Sequence, residues 1–314
     1  MKTNKFYIVA SPRGFCAGVK RAILIVEQAL KIFNSPVYVR HEVVHNKYVV
    51  DNLKKKGVIF VESIDEIPDK NIVILSAHGV AKKVLDKANN RDLKVFDATC
   101  PLVTKVHMEV LKYSKQNMDV ILIGHKGHPE VIGTMGRFRD KFGGNIYLVQ
   151  NIKEAEEIKI RQPNNLALVK QTTLSVDDTK KIVLQLQKLF PNVVLPTKDD
   201  ICYATQNRQD AIGELAKISD TMFIVGSSNS SNSNRLKELA ITKGVTAYLV
   251  DDASYIKNEM IKNSKIIGIS AGASAPEELV LNVIDYIKNQ GFTHKRIKTI
   301  KEEKVSFSII KELR

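Results

Sequence analysis

Three cysteines, Cys16, Cys100 and Cys202, lie 84 and 102 residues apart along the chain. Each immediately precedes a segment with apolar residues at i, i+3, i+4 and i+7: Ala17 to Ile32, Leu102 to Gln116 and Tyr203 to Ile218. A helix start offers unpaired N–H groups and a positive dipole end, which favour a thiolate and so metal ligation. A lone cysteine is most often a small buried hydrophobe. Three at equivalent helix starts differ, because their thiolates meet if the segments carrying them pack around a common axis. Three protein ligands on an iron–sulfur cube leave one iron open to substrate, the analogue of the open fourth position of catalytic zinc. Zinc held by three cysteines and one histidine is the competing metal reading. The odd count and the lack of a C-x-x-C pair argue against a disulfide framework, a zinc ribbon and a ferredoxin-type motif.

Residues suited to holding an anion follow the apolar runs. His41 and His45 come after Val37 to Val39, His78 after Ile72 to Leu75, and His125 and His128 after Val120 to Ile123. Five of the seven histidines therefore sit just beyond a predicted strand, where open α/β sheets place ligands. One such histidine would be an ordinary hydrogen-bonded residue; the shared position favours a common anionic ligand. Thr172 and Thr173 follow the run at Leu166, and Ser270 and Ser274 the run at Ile266. The Ser/Asn run containing Ser230, Ser231 and Asn232 lies between Met222-Phe-Ile-Val-Gly226 and a helical pattern from Arg235. Serine-rich segments are commonly linkers. Between a buried strand and the helix that packs on it, hydroxyls and amides instead make a cradle for phosphate oxygens.

Glu130 opens a helix after Pro129, where a carboxylate favours the helix dipole. In a closed, histidine-lined site the same carboxyl would be a proton source for a leaving hydroxyl. No G-x-x-x-x-G-K-[ST] loop and no G-x-G-x-x-G turn is present, which argues against nucleoside triphosphate and nicotinamide chemistry.

The elements that must position these residues recur along the chain. Short apolar runs at Phe6 to Ala10, Val37 to Val39, Ile72 to Leu75, Val120 to Ile123, Ile146 to Val149, Leu166 to Val169, Met222 to Val225, Ala247 to Val250 and Ile266 to Ile269 alternate with helical patterns. This predicts an α/β protein with largely parallel sheets, its strands in three groups of three. Three similar α/β units are expected over 1–100, 101–199 and 200–290, with a basic tail over 291–314 to which the pattern gives no place.

A chain of 314 residues, 44% hydrophobic and 26% charged, has ample length for a core without disulfide staples. The net charge of +14 suits nucleic acid, an acidic protein or a phosphorylated small substrate. No basic run exceeds Lys54-Lys55-Lys56 and no aromatic-interleaved motif accompanies one, so a solvated basic surface comes first and nucleic acid is disfavoured. An RNA-binding protein remains the alternative from another class, and a zinc-dependent phosphohydrolase the alternative among enzymes. No apolar stretch approaches the ~18 residues of a membrane helix, and Ser11 to Cys16 already belongs to a motif rather than a leader, so a bacterial-type cytoplasm is expected.

Taken together, Ser11-Pro-Arg-Gly-Phe-Cys16-Ala-Gly-Val, His-Glu-Val-Val-His45-Asn, Ser-Ala-His78-Gly-Val, Asp-Ala-Thr-Cys100-Pro, Gly-His-Pro-Glu130, Gln-Thr172-Thr-Leu-Ser, Ile-Cys202-Tyr-Ala-Thr-Gln-Asn-Arg-Gln and Gly-Ser-Ser-Asn-Ser230-Ser-Asn232-Ser-Asn-Arg-Leu closely resemble the LytB/IspH family, the 4-hydroxy-3-methylbut-2-enyl diphosphate reductases of the non-mevalonate isoprenoid pathway. The likeness runs from residue 6 to about 285 in the family's motif order. It implies a trefoil-like enzyme of three α/β units around a 4Fe-4S cluster held by Cys16, Cys100 and Cys202, with one iron open to the substrate hydroxyl. It implies diphosphate contacts from His45, His78, His128, Ser230, Ser231, Asn232 and Ser274. Thr172 and Glu130 would lie near the hydroxyl, with Glu130 in the proton path. Isopentenyl and dimethylallyl diphosphates would be the products and a ferredoxin or flavodoxin the electron donor.

Overall fold

The computed structural model describes residues 5–34, 36–295 and 301–314. Its strands are β1 (Phe6–Val9), β2 (Val37–Arg40), β3 (Val58–Val61), β4 (Ile72–Leu75), β5 (Lys94–Asp97) and β6 (Asp119–Ile123). They continue as β7 (Ile146–Val149), β8 (Leu166–Lys170), β9 (Thr221–Val225), β10 (Thr246–Val250), β11 (Ile266–Ala271) and β12 (Thr293–His294). Three parallel sheets result, in the orders β10-β9-β11-β1-β12, β3-β2-β4-β5 and β7-β6-β8. The expected α/β class with parallel sheets is therefore observed.

The chain falls into two compact units. One comprises the described parts of Met1–Val19, His45–Asn52 and Tyr203–Ser306 and contains the five-stranded sheet. The other comprises the described parts of Lys20–Val44, Leu53–Cys202 and Phe307–Arg314 and contains the other two.

Alternate residues of central strands serve opposite faces, as the pleat requires. In β9, Met222 and Ile224 pack with Ile8, Ile212 and Leu236, while Phe223 and Val225 pack with Ile269, Val280 and Val283. In β6, Val120 and Leu122 enter one cluster with Val106 and Val169, and Ile121 and Ile123 another with Leu168 and Leu186. Burial on both faces is why these strands read as continuous apolar runs rather than alternating ones.

All nine expected strands form, but the grouping by threes is corrected: β1 pairs with β11 and joins the sheet of β9 and β10. Three strands escaped the sequence pattern, β3, β5 and β12, and each lies at a sheet edge. Edge strands bury less, so Ile59 of β3 is exposed, β5 mixes Lys94 and Asp97 with its apolar pair, and both residues of β12 are exposed. From the expected basic tail, Thr293–His294 forms β12 beside β1, while residues 296–300 lie outside the described residues. No helix among the described residues is long and apolar enough to cross a membrane.

Candidate active site

Each cysteine precedes a helix as the periodicity predicts: Ala17–Phe33, Pro101–Lys115 and Tyr203–Ala216. None is in a disulfide, and each is partly buried.

In the two-sheet unit, Cys100 is the N-cap of its helix, with Pro101 at the first helical position. Its N–H donates to the Ala77 carbonyl at 3.0 Å, beside the β4 terminus, and the Cys202 N–H donates to the Thr172 carbonyl at 3.0 Å, just past β8. Strand ends thus fix both thiols.

Glu130 and Thr172 meet in this unit. The Thr172 N–H donates to Glu130 Oε1 at 2.6 Å and its hydroxyl to Oε2 at 3.0 Å, with both residues buried. Burial pushes the Glu130 carboxyl up from 4.5 to about 7, outweighing the two Thr172 hydrogen bonds that favour the charged form; nearby Asp200 adds a smaller upward push. His128 caps the same short helix, Pro129–Met135, accepting the Glu130 N–H on Nδ1 at 3.1 Å. A neutral His128 therefore carries its proton on Nε2. The His78 ring lies edge-on to the His128 ring with centroids 5.9 Å apart, and 6.1 Å from the His41 ring. The ends of β2, β4 and β6 thus line up three imidazoles, and Ser76 Oγ sits 3.3 Å from His78 Nδ1.

In the other unit, Gly14 turns the chain between β1 and Cys16 at φ +63°, a conformation that suits glycine. The Gly14 and Cys16 N–H groups donate to the carbonyls of Ala271, the last residue of β11, and Ala273, just beyond it, and the Val19 N–H points at Cys16 Sγ from 3.5 Å. Ser230 caps the helix Ser231–Thr242, its Oγ accepting the Ser233 N–H at 3.3 Å. Asn232, buried, accepts the Ala273 N–H on Oδ1 at 2.9 Å and donates through Nδ2 to Thr205 Oγ1 at 3.3 Å. Ser274 Oγ donates to the His45 carbonyl at 2.8 Å. The Ser/Asn run is thus an ordered helix entry, tied to the loop after β11 and through Ser274 to His45. Ser231 is the first residue of that helix.

These placements group the expected residues in two sets: Cys100, Cys202, His78, His128, Glu130 and Thr172 in one unit, and Cys16, His45, Ser230, Ser231, Asn232 and Ser274 in the other. Among the described residues no three His, Cys, Asp or Glu side chains converge on a point that would hold a single metal ion. A cube imposes a different requirement, since each cysteine takes its own iron. The donor set fits it: three unbridged, partly buried thiols at helix starts, with a helix N–H aimed at one sulfur.

Sequence reasoning missed Asp200 and Lys105. The buried Asp200 carboxylate accepts the Lys170 N–H on Oδ2 and Lys105 Nζ on Oδ1, both at 2.9 Å. It joins the end of β8, the segment entering Cys202 and the helix leaving Cys100. Its only signal was an Asp pair before Cys202, and burial of a charge is not written in composition.

A model of the LytB protein family matches residues 7–288. The chain belongs to the LytB family. Two relatives called 4-hydroxy-3-methylbut-2-enyl diphosphate reductase, from Ectopseudomonas mendocina (strain ymp) and Psychromonas ingrahamii (strain DSM 17664 / CCUG 51855 / 37), are each 56% identical, over 306 and 307 residues and 98% of both chains. Among solved structures, the E-1-hydroxy-2-methyl-but-2-enyl-4-diphosphate reductase of Plasmodium falciparum is 36% identical with a TM-score of 0.94, over 99% of this chain and 97% of that one. A second, described as (E)-4-hydroxy-3-methyl-but-2-enyl diphosphate reductase, the terminal enzyme of the non-mevalonate pathway, is 34% identical with a TM-score of 0.66, over 91% and 99%.

Proposed function

We propose that this LytB chain is a 4-hydroxy-3-methylbut-2-enyl diphosphate reductase that removes the substrate's allylic hydroxyl and releases isopentenyl and dimethylallyl diphosphates. The names carried by relatives 56% identical over nearly the full length support the activity. The observation that supports the chemistry is the buried Glu130–Thr172 pair.

The reaction breaks one C–O bond, consumes two electrons and two protons, and yields water and a new C–H bond. A carboxyl group with a pKa near 7 is partly protonated at neutral pH, so Glu130 holds a proton for the departing hydroxyl, whose oxygen leaves as water. Thr172 keeps the carboxyl fixed through both of its oxygens. Burial of both residues excludes bulk water, so the reduced allyl fragment meets only the intended donor.

In this reading Cys16, Cys100 and Cys202 hold a 4Fe-4S cluster with one open iron. Such a group supplies the electrons and the Lewis acidity that side chains lack. His45, His78, His128, Ser230, Ser231, Asn232 and Ser274 hold the diphosphate, each being a donor near a strand end or at a helix start. The +14 charge suits an acidic ferredoxin or flavodoxin as electron donor, and the setting is a bacterial-type cytoplasm.

The deciding experiment combines iron and acid-labile sulfide analysis of anaerobically purified protein with its Mössbauer spectrum before and after adding substrate. About four irons, one of them a distinct site that responds to substrate, together with product formation, are expected. Zinc, or no metal after anaerobic reconstitution and no product, would overturn the reading.

A further inference from the structure

Arg208 is a guanidinium with no solvent exposure, in the helix that follows Cys202. All five of its N–H groups are used. Nε and Nη2 donate to the Gly14 carbonyl at 3.1 and 2.6 Å, and Nη1 to the Ala204 carbonyl at 2.8 Å. The other two bonds go to Glu303, from Nη1 at 3.0 Å and Nη2 at 3.3 Å, and Asn207 Nδ2 adds a bond to Glu303 Oε1 at 3.0 Å. Glu303 belongs to the C-terminal segment to which the sequence pattern gave no place.

Gly14 is the left-handed turn residue two positions before Cys16. Its N–H is held by Ala271, and its carbonyl is gripped by two arms of Arg208. The turn that sets Cys16 is therefore fixed from both sides, and one side depends on a buried cation. Removing the partner of a buried charge costs far more than the pair itself contributes, because the remaining charge must be rehydrated or moved. An Arg208 without Glu303 would turn toward water and drop the Gly14 carbonyl.

We infer that Glu303 is a positioning residue: it is the counter-ion that keeps the Arg208 fork on the Cys16 turn, which makes the C-terminal segment part of the support for one thiolate. The consequence for iron rests on the reading that Cys16 is a ligand; the structural claim about the turn does not.

The test uses full-length Glu303→Ala, Glu303→Gln and, as a control, Lys304→Ala, whose lysine is exposed. Hydrogen exchange read by mass spectrometry over residues 14–19 and over β6, and the rate of iron loss to a chelator from anaerobic protein, are compared with the parent. Glu303→Ala should speed both exchange over 14–19 and iron loss by at least about tenfold while leaving β6 unchanged. Glu303→Gln, which keeps an acceptor, should recover part of this, and Lys304→Ala should match the parent. Unchanged exchange over 14–19 in Glu303→Ala, or an equal rise in β6, overturns the inference. A parent that binds no cluster would instead sink the ligand assignment, and the exchange data would still decide the fork.

Discussion

Glu130 holds Thr172 by both of its carboxylate oxygens, one on the backbone N–H and one on the hydroxyl. The Thr172 carbonyl in turn holds the Cys202 N–H. The proposed acid and one proposed thiolate ligand are thus separated by a single residue that bonds to both. Four predictions follow from this arrangement and its surroundings.

Glu130→Gln keeps the volume and an acceptor for the Thr172 N–H but removes the acidic proton. Turnover should fall by roughly 10²- to 10⁴-fold while iron content and substrate affinity stay close to the parent values. Steady-state kinetics with iron analysis and a binding titration check this, and unchanged turnover would remove Glu130 from the proton path.

The raised carboxyl of Glu130 also makes stability depend on pH. The folded protein retains this proton up to about 7, whereas the unfolded chain releases it near 4.5. The contribution is full below 4.5 and is lost as pH rises through about 7, amounting to about 3 kcal/mol in all. Urea unfolding at about pH 5 and about pH 8 should show this fall, and Glu130→Gln should reduce it by the Glu130 share. Glu109, pushed to about 7 by its own burial and by Asp200, acts in the same direction and should leave a remainder.

Gly79 follows His78 at φ +76°, and a Cβ there would sit 2.5 Å from His107 Cε1. His107 is buried in the helix Pro101–Lys115, and burial holds its pKa down to about 3, so the ring stays neutral where it stands. Gly79→Ala should cost about 2 kcal/mol or more and, by displacing His78, raise the KM for a diphosphate substrate. Thermal unfolding and kinetics measured together test both parts; an unaltered Tm would mean that the turn yields at no cost.

Asp200→Ala leaves Lys105 and the Lys170 N–H without their buried acceptor and should destabilise the chain by about 3 kcal/mol. Lys105→Met should cost less, because Lys105 is partly exposed and its own desolvation is smaller. Denaturant unfolding of both single variants and the double variant should give a coupling above about 1 kcal/mol. Strict additivity would show that the two charges do not depend on each other.

Much of this was legible in the sequence because parallel strands buried on both faces are written as unbroken apolar runs. Ile121 and Leu122 point to opposite cores, yet both must be apolar. The cysteines were legible as helix starts because periodicity resumes directly after each of them. Edge strands were not, since β5 needs only Val95 and Phe96 to be apolar. Pairing across the chain was equally hidden: nothing in Phe6–Val9 points to Ile266–Ala271 as its neighbour. Arg208 and Asp200 were missed for the same reason, because a charge whose partners lie far away in the chain looks like any surface charge until the fold closes over it.

The order in which the chain is made gives the Cys16 turn a further consequence. Cys16 leaves the ribosome about 250 residues ahead of the carbonyls of Ala271 and Ala273 that hold its turn, and of the β11 strand that pairs with β1. At ~5–20 residues per second the first cysteine waits on the order of tens of seconds for its surroundings. The first of the three thiols to be made is thus set in place only once residue 273 has followed it, so any loading that draws on it waits for that point, and the nascent chain must keep Cys16 reduced until then.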